Sequence, residues 1–249
     1  DGWWNKIYAD DFDGDGDMDL FVGGRVVPGK YPISPESFLL LNDGKGNFTN
    51  STGVIAPALK NIGMVTDALW TDINKDGKND LVVVGEWMPV KIFINEGKTL
   101  KDASSNYIKF ASDGWWNKIY ADDFDGDGDK DLVMGNVGLN TQFHSGEKEP
   151  LQLYYNDFDG NGSIDPIFCY YINGVSYPAN SRDDLADQLP IVKKKFLEYH
   201  RYADATINEV LEPDQLKNAK LLQVTEQSTL YLQNDGEKGF SKKPLPAQA

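Results

Sequence analysis

The chain has 249 residues, and its 39 acidic and 24 basic side chains give a formal net charge of −15 at pH 7. Such a negative field repels nucleic acid and anionic membrane surfaces, and it attracts cations. One cysteine excludes an intrachain disulfide, and two histidines leave little material for a zinc site or a histidine-based catalytic dyad. No run of about 18 apolar residues is present, so we expect no transmembrane segment in this chain.

An aspartate-rich segment opens the chain and recurs along it. Residues 1–17, DGWWNKIYADDFDGDGD, are repeated without change at 113–129, and weaker copies are TDINKDGKNDL at 71–81 and NDFDGNGSIDP at 156–166. The four loops begin at unequal intervals, at Asp11, Asp72, Asp123 and Asp157. This irregular spacing indicates structural repeats that carry insertions, and it is not typical of a tight solenoid.

Each loop has oxygen-bearing side chains at its first, third, fifth and ninth positions and glycine at its sixth. Together with the main-chain carbonyl of the seventh position, these oxygens can enclose a hard cation of calcium size, and the glycine permits the sharp turn. We expect up to four Ca²⁺ ions. The predicted ligands are Asp11, Asp13, Asp15, Asp17 and Asp19; Asp72, Asn74, Asp76, Lys78 and Asp80; Asp123, Asp125, Asp127, Asp129 and Asp131; and Asp157, Asp159, Asn161, Ser163 and Asp165.

Aspartate-rich loops also occur in EF-hands and in solvated acidic turns. An EF-hand requires glutamate at the twelfth position, where these loops have apolar Val22, Val83, Met134 and Phe168, and it requires flanking helices. The flanking residues alternate as in strands, so the EF-hand interpretation fails. The loops could instead be solvated acidic turns, but four loops with one spacing and one glycine position favour calcium binding. Magnesium is less favoured because it resists dehydration.

A second repeated element is a turn after an apolar run, in FLLLNDGKGNF (38–48), KIFINEGKTL (91–100) and LYLQNDGEKGF (230–240). Asparagine and glycine tolerate the positive φ that tight hairpins require, so these segments predict β-hairpins. One four-stranded propeller blade then consists, in chain order, of a strand, the acidic loop, a strand, a connection, a strand, the hairpin turn and a last strand. We therefore predict an all-β chain, a single β-propeller region over 1–249 with about four blades.

One segment departs from the strand pattern. Between 181 and 219 the apolar residues fall mostly three or four apart, which predicts helix. Ser181 supplies an N-cap, and Pro190 and Pro213 divide the segment into short helices. We interpret 181–219 as a helical insertion between two strands of a blade.

The loops D-x-D-x-D-G-x-x-D-L with N-D-G-x-G-x-F hairpins resemble FG-GAP/VCBS repeats, the calcium-binding propeller repeats of the integrin α-subunit type. The wider strings VGGRVVPGKYP, VVGEWMPV, GNVGLN and RDDLADQLP are similar to bacterial, mostly Bacteroidetes, proteins related to the ASPIC/UnbV and cartilage-acidic-protein group. The resemblance implies calcium loops that brace one end of each blade, and a secreted, periplasmic or surface-attached protein. Family propellers have about seven blades, so we expect a fragment or a ring that a partner closes.

The expected function is a calcium-stabilised, extracytoplasmic module that binds a protein or glycan ligand, or serves as a subunit of a cell-surface complex. We expect no catalytic activity, because nearly every clustered carboxylate lies in a calcium loop and no nucleophile–base arrangement is visible. The alternative is a polysaccharide lyase or hydrolase on the same scaffold. In each pair Trp3-Trp4 and Trp115-Trp116, strand alternation predicts one buried tryptophan.

Overall fold

Antiparallel β-sheet is the main secondary structure of the chain. The computed structural model describes residues 2–243 and 245. Its strands form four sheets, and in each sheet one aspartate-rich loop joins two neighbouring strands. The predicted all-β, propeller-type architecture with four repeated sheets is thus confirmed. Whether 1–249 forms a single domain stays a prediction.

The first two sheets follow the chain order strand by strand. Blade 1 consists of β1 (Trp3–Asp10), β2 (Asp19–Val26), β3 (Phe38–Asn42) and β4 (Phe48–Asn50). Blade 2 consists of β5 (Met64–Thr71), β6 (Asp80–Met88), β7 (Lys91–Asn95) and β8 (Leu100–Asp102), and β9 (Gly114–Trp115) pairs with β6. In both blades the aspartate-rich loop joins the first two strands and the asparagine-glycine turn joins the last two.

Blade 3 is interrupted by the fourth sheet. Before the interruption it has β10 (Lys118–Asp122) and β11 (Asp131–Gly135), and after it come β16 (Leu230–Asn234) and β17 (Phe240–Lys243). The inserted sheet has the spatial order β14-β13-β12-β15 and consists of β12 (Leu151–Asn156), β13 (Asp165–Ile172), β14 (Val175–Pro178) and β15 (Lys220–Val224).

The third hairpin therefore completes blade 3 and does not belong to the sheet of the fourth loop. This differs from the expected order, in which each loop is followed by its own hairpin. The physical reason is the pairing of Leu132 in β11 with Leu232 in β16, both fully buried, which extends the apolar face of blade 3. The strand that completes the inserted sheet is β15, which pairs with β12.

Short helices lie at three places in the chain. Their bounds are α1 (Thr52–Ile55), α2 (Ser104–Tyr107), α3 (Arg182–Gln188), α4 (Ile191–Lys195), α5 (Tyr199–Ala203), α6 (Ile207–Val210) and α7 (Pro213–Asn218), with 3-10 turns at Pro57–Leu59 and Gly236–Lys238. Five of them follow one another between β14 and β15. The Ser181 hydroxyl caps α3 by accepting a hydrogen bond from the Asp184 amide at 3.2 Å. Within the described residues no helix has the length and apolarity to cross a membrane.

Blade 2 buries both of its faces, one against each neighbouring blade. Its pairing register places Ala68, Val83 and Leu81 on one side, and these residues form one apolar cluster with residues of blade 1, among them Phe12, Phe21 and Leu39. The other side carries Val82, Val84 and Ile92, which form a second cluster with residues of blade 3, among them Trp116, Ile119, Leu132 and Met134. Each large side chain in such a cluster contributes roughly 1.5–3 kcal/mol of hydrophobic stabilisation.

The inserted sheet is also covered on both faces. Ile167 and Cys169 pack with the helical segment, whose buried residues include Leu185, Leu189 and Val192. The opposite face places Phe168 against Trp87 and Trp115, with ring centroids 6.0 and 5.7 Å apart. These contacts attach the inserted sheet to blade 2.

A buried carboxylate links all three blades. Asp67 of blade 2 accepts hydrogen bonds from the Tyr8 hydroxyl of blade 1 and, at 3.1 Å, from the Ile119 amide of blade 3. The Lys118 ammonium lies 3.1 Å from the same carboxylate. Burial by itself raises the pKa of Asp67, but the hydrogen bonds from Tyr8, Ile119 and Lys118 outweigh it and hold the pKa below its ordinary value.

Candidate metal sites

The four aspartate-rich loops share one backbone conformation. Their sixth-position glycines all have positive φ, between 84° and 96°, which a residue with a Cβ adopts only at a cost in energy. The sixth-position amide donates in every loop to the first-position carboxylate, at distances of 2.9 to 3.1 Å: Gly16 to Asp11, Gly77 to Asp72, Gly128 to Asp123 and Gly162 to Asp157. The sequence motif thus specifies a closed loop, wrapped around its first aspartate.

Carboxylate oxygens converge inside three of the loops. In each triad one oxygen per side chain lies within 4.8 Å of the others, and the triads are Asp11, Asp13 and Asp15; Asp123, Asp125 and Asp127; and Asp157, Asp159 and Asp165. Like charges at this separation repel, and a divalent cation among them would relieve the repulsion. These clusters can hold a metal ion.

The second loop differs in its charges. Asn74 takes the place of the third-position aspartate, so the carboxylates of this loop are Asp72, Asp76 and Asp80. The Lys78 ammonium donates a hydrogen bond to Asp76 and lies 2.9 Å from its carboxylate. This hydrogen bond, and to a smaller extent the positive charge of Lys78, lowers the pKa of Asp76. Because a lysine already partly neutralises this loop, we expect it to attract a cation least strongly of the four.

The seventh position of each loop is predicted to supply a main-chain carbonyl ligand. Their amides donate to the fifth-position side chain at 2.7 to 3.1 Å in all four loops, as in Asp17 to Asp15 and Ser163 to Asn161. This bond fixes the peptide unit directly before the carbonyl that is predicted as a ligand. The side chains at this position differ, being Asp17, Lys78, Asp129 and Ser163, which agrees with a main-chain role.

The ninth-position aspartates are buried, with exposed fractions of 0 to 2% for Asp19, Asp80, Asp131 and Asp165. Asp80 accepts hydrogen bonds from the Ile73 amide of its own loop at 2.9 Å and from the Asn95 amide at 2.8 Å. Burial raises the pKa of Asp80 to about 6, against the opposing effect of these hydrogen bonds. In blades 1 to 3 the ninth-position carboxylate therefore joins the loop to the third strand of its own blade, a role that the ligand pattern did not reveal.

The first loop contains buried oxygens without a partner. Within the described residues neither Oδ1 of Asp17 nor Oδ2 of Asp19 has a hydrogen-bond donor. Burial and the neighbouring carboxylates raise the pKa values of both side chains. An unpaired buried acceptor is costly, and an oxygen-only donor set is what hard cations such as Ca²⁺ bind. The residues present thus fit a calcium-sized ion.

Hairpin asparagines connect the loops of adjacent blades. The Asn95 side-chain amide donates to the Phe12 carbonyl of the first loop at 2.9 Å and to the Asn79 carbonyl of the second at 3.1 Å. In the same way, Asn234 donates to the Ile73 carbonyl at 3.0 Å and to the Lys130 carbonyl at 3.3 Å. Sequence reasoning gave these asparagines only a turn role. In the sequence, the one sign of a further role is that an asparagine stands directly before the turn in each of these hairpins.

A cleft of about 460 Å³ lies where blades 1 and 2 meet β15 of the inserted sheet. Glu86, Trp87 and Lys220 contribute to its walls. Trp87 has φ +56°, a conformation that is rare for a bulky side chain, and its indole donates to the Tyr31 hydroxyl at 2.6 Å. Such backbone outliers are concentrated at functional sites.

The fold and loops define a class of protein in which repeated blades each carry an acidic, cation-competent loop. Comparison with known proteins agrees: the FG-GAP-like repeat family matches at residues 11–83 and 72–134. The chain therefore carries FG-GAP-like repeats over residues 11–134, which include the first three loops. No curated protein sequence matches the chain.

One solved structure that the chain resembles is that of an Agrocybe aegerita lectin, described as showing specific recognition of non-reducing terminal N-acetylglucosamine. The two chains are 18% identical with a TM-score of 0.38, and the alignment covers 96% of this chain and 64% of the lectin chain. The chain thus spans less than two thirds of that protein. A likeness of this size carries no argument about fold or ligand.

Proposed function

We propose that the chain is a calcium-stabilised β-propeller module that acts outside the cytoplasm, binds a protein or glycan ligand, and has no catalytic activity. The observation that carries the proposal is the convergence of three carboxylates in each of three loops, two of which lie in the matched FG-GAP-like repeats. Calcium is a structural ion in this account. It crosslinks side chains that otherwise repel one another, and the loops then hold the ends of the blades in place.

The compartment follows from calcium chemistry. Extracellular calcium modules have dissociation constants of roughly 10⁻⁴–10⁻³ M, so they fill only where calcium is abundant. The resemblance to FG-GAP repeats and the net charge of −15 both favour such a compartment. Four bound Ca²⁺ ions would reduce the net charge to −7, which lowers self-repulsion.

Binding is favoured over catalysis by the state of the reactive groups. Cys169 is fully buried, and burial raises the pKa of its thiol to about 12, so it is not a nucleophile. His200 is exposed on a short helix, where its described ionic partner is Glu198 at 3.4 Å. The clustered aspartates belong to the loops. We assign ligand binding to the cleft at Trp87, where aromatic, charged and amide groups from three sheets converge.

Metal binding is tested by counting ions per chain with native mass spectrometry, combined with a calorimetric titration of the metal-free protein with CaCl₂. We expect up to four ions, with the loop at Asp72 filling last. Replacing Asp123, Asp125 and Asp127 together by asparagine removes one ion, and the same change at Asp11, Asp13 and Asp15 is its matched control. Binding of no calcium by the parent chain would end the calcium proposal.

Ligand binding is tested separately with a glycan array and with affinity capture, each in millimolar calcium and in chelator. Lys220→Ala lies in the cleft and lowers capture of the ligand, whereas Lys217→Ala, on exposed α7 outside the cleft, leaves it unchanged. Equal loss in both variants would show that charge alone, and not the cleft, mediates the capture.

A further inference from the structure

Asn95 places a buried amide between the first two loops. The residue is 2% exposed, and both polar atoms of its side chain have partners. Its oxygen accepts from the Gly97 amide at 2.7 Å, and its nitrogen donates to the Phe12 carbonyl of the first loop and the Asn79 carbonyl of the second. Its main-chain amide donates to Asp80, a predicted ligand of the second loop. One residue thus holds parts of two loops at once.

Asn234 repeats this arrangement between the second and third loops. It is 1% exposed, and its oxygen accepts from the Gly236 amide at 3.0 Å. Its side-chain nitrogen donates to the Ile73 carbonyl of the second loop and the Lys130 carbonyl of the third. Its main-chain amide donates to Asp131, a predicted ligand of the third loop, at 2.8 Å. Hydrogen bonds therefore connect the first three loops in one series.

The carbonyl that each bridge binds lies in the part of the loop that a cation would order. Phe12 stands between Asp11 and Asp13, whose carboxylates converge, and Ile73 holds the same position in the second loop. A cation that draws the first and third positions together also fixes the peptide between them. The bridging amide is therefore attached to a backbone segment whose position depends on the cation.

The fourth loop is connected differently. Its second-position carbonyl, that of Phe158, accepts a hydrogen bond at 2.9 Å from the side chain of Gln215, which lies in α7 of the helical segment. Within residues 2–243 no side-chain hydrogen bond or ion pair joins this loop to another aspartate-rich loop. The molecule thus contains three loops that are bridged to one another and one that is not.

We propose that Asn95 and Asn234 are positioning residues that couple calcium binding in the first three loops, while the fourth loop binds calcium independently. The coupling rests on the calcium binding proposed above. Without a cation, the carboxylates of a loop repel one another and the backbone between them is less well ordered. A cation that closes one loop orders the carbonyl and the bridging amide, so that the neighbouring loop loses less conformational entropy when it binds.

The second loop should show the coupling most clearly, because it has a bridge on each side. Asn95 connects it to the first loop and Asn234 connects it to the third. The net strength of one hydrogen bond corresponds to a factor of about five in an equilibrium constant. We therefore expect a cation in the first loop, and likewise one in the third, to raise the calcium affinity of the second loop about fivefold.

The test is a calcium titration followed by NMR at one backbone amide in each loop. The sixth-position amide donates to the first carboxylate of its own loop and so reports on that loop; the four amides are those of Gly16, Gly77, Gly128 and Gly162.

Disabling one loop at a time measures the coupling. Replacing Asp11, Asp13 and Asp15 by asparagine should lower the calcium affinity of the second loop about fivefold, and the matching replacement in the third loop should do the same. Replacing Asp157 and Asp159 by asparagine disables the fourth loop and should leave the affinity of the second loop unchanged.

Two serine variants assign the coupling to the bridges. Asn95→Ser keeps a side-chain oxygen that can accept from the Gly97 amide, as serine does in turns, and removes the donor to both loops. In this variant, disabling the first loop should change the affinity of the second less than about twofold, whereas disabling the third still lowers it about fivefold. Asn234→Ser should give the reverse pattern. Each variant is the control for the other, because a general loss of stability would affect both couplings.

The serine variants also test the coupling in chains with four intact loops, should a disabled loop prevent folding. Asn95→Ser should weaken calcium binding at Gly16 and Gly77, Asn234→Ser should weaken it at Gly77 and Gly128, and neither should change it at Gly162. Calcium binding at all four loops with affinities that neither serine variant changes overturns the coupling and leaves the proposed function intact. Binding of no calcium at any loop overturns both.

Discussion

Residues 1–17 and 113–129 have the same sequence and bury opposite sides of the same strand and loop. In blade 1 Phe12 is 2% exposed and Ile7 is 63% exposed, whereas in blade 3 Phe124 is 49% exposed and Ile119 is 7% exposed. The loop turn is the same, since Gly16 and Gly128 have φ of 96° and 86°. The strand before it differs, because β1 is continuous whereas the second copy is divided into β9 and β10. The local sequence thus determines the loop and the carboxylates that converge in it. The neighbouring blade determines which side chains are buried.

The largest expected difference between the copies lies at the loop phenylalanine. Phe12→Ala removes a fully packed ring between blades 1 and 2 and costs about 3–5 kcal/mol of unfolding free energy. Phe124→Ala, the same change in the same local sequence, costs less than about 1 kcal/mol because half of the ring faces solvent. Urea unfolding of both variants measures the difference. Equal costs would mean that the environments of the two copies are not as described.

Substitution of Asp67, which lies between the two identical segments 1–17 and 113–129, should give the next largest loss of stability. Asp67→Asn weakens charge-assisted hydrogen bonds from Tyr8, Ile119 and Lys118, each worth about 1.5–3 kcal/mol at most. The folded-state pKa of Asp67 is lowered, so its stabilisation is fully present above the unfolded value of about 3.9 and is lost as the pH falls through the lower folded value.

The pH dependence provides the control for that substitution. Between pH 7 and pH 5 the difference in unfolding free energy between the parent chain and Asp67→Asn should stay constant, and below about pH 4 it should shrink. Chemical unfolding at each pH measures it. A difference that grows as the pH falls would contradict the assignment of Asp67 as an ionised acceptor.

The asparagine bridges give a smaller contrast. Asn95→Asp removes the donor that joins the first and second loops, and we expect a loss of about 1 kcal/mol. Asn42→Asp makes the same chemical change in blade 1, where the described residues form no such bridge, and leaves the stability of the chain unchanged. Thermal melting at low protein concentration compares them. An equal loss would assign the effect to the added charge.

The smallest expected effect concerns cation affinity in the two identical loops. The Lys75 ammonium pairs with Asp129 of the third loop, whereas the matching Asp17 of the first loop has a buried oxygen that finds no partner among the described residues. A neighbouring ammonium repels a divalent cation, so Lys75→Met should raise the calcium affinity of the third loop about two- to tenfold. Calorimetric titration with calcium measures this affinity, in a chain whose first loop carries asparagine in place of Asp11, Asp13 and Asp15. Lower affinity would show that Lys75 instead organises the site.

Much of this structure could be predicted from the sequence, because loops and hairpins are local. The glycine at Gly16 and Gly128 and the aspartates around it specify a turn that needs no partner, and the helical period of 181–219 marked the segment that contains α3 to α7. Strand alternation also predicted one buried tryptophan per pair. That is so for Trp116, which is fully buried, but Trp3 and Trp4 are 65% and 41% exposed.

What the sequence could not provide were the contacts between distant elements. The placement of the fourth sheet inside blade 3 depends on the pairing of Leu132 with Leu232, a hundred residues along the chain. The bond between the Asn95 amide and Asp80 joins two strands of blade 2 that the local sequence does not pair. The bond from the Asn95 side chain to the Phe12 carbonyl likewise depends on the packing of blade 2 against blade 1. Local pattern rules contain no information about such neighbours. The calcium ligands, the compartment and the ligand class stay predictions.

The central claim is that a bound cation holds the blades together through the aspartate-rich loops. The most direct measurement is thermal melting of the parent chain, followed by tryptophan fluorescence, in millimolar CaCl₂ and in chelator, with MgCl₂ as control. The account predicts a clear rise in melting temperature with calcium, because binding to the folded state alone stabilises it, and a reduced rise when Asp123, Asp125 and Asp127 are replaced by asparagine. Identical melting curves in calcium and in chelator would contradict it.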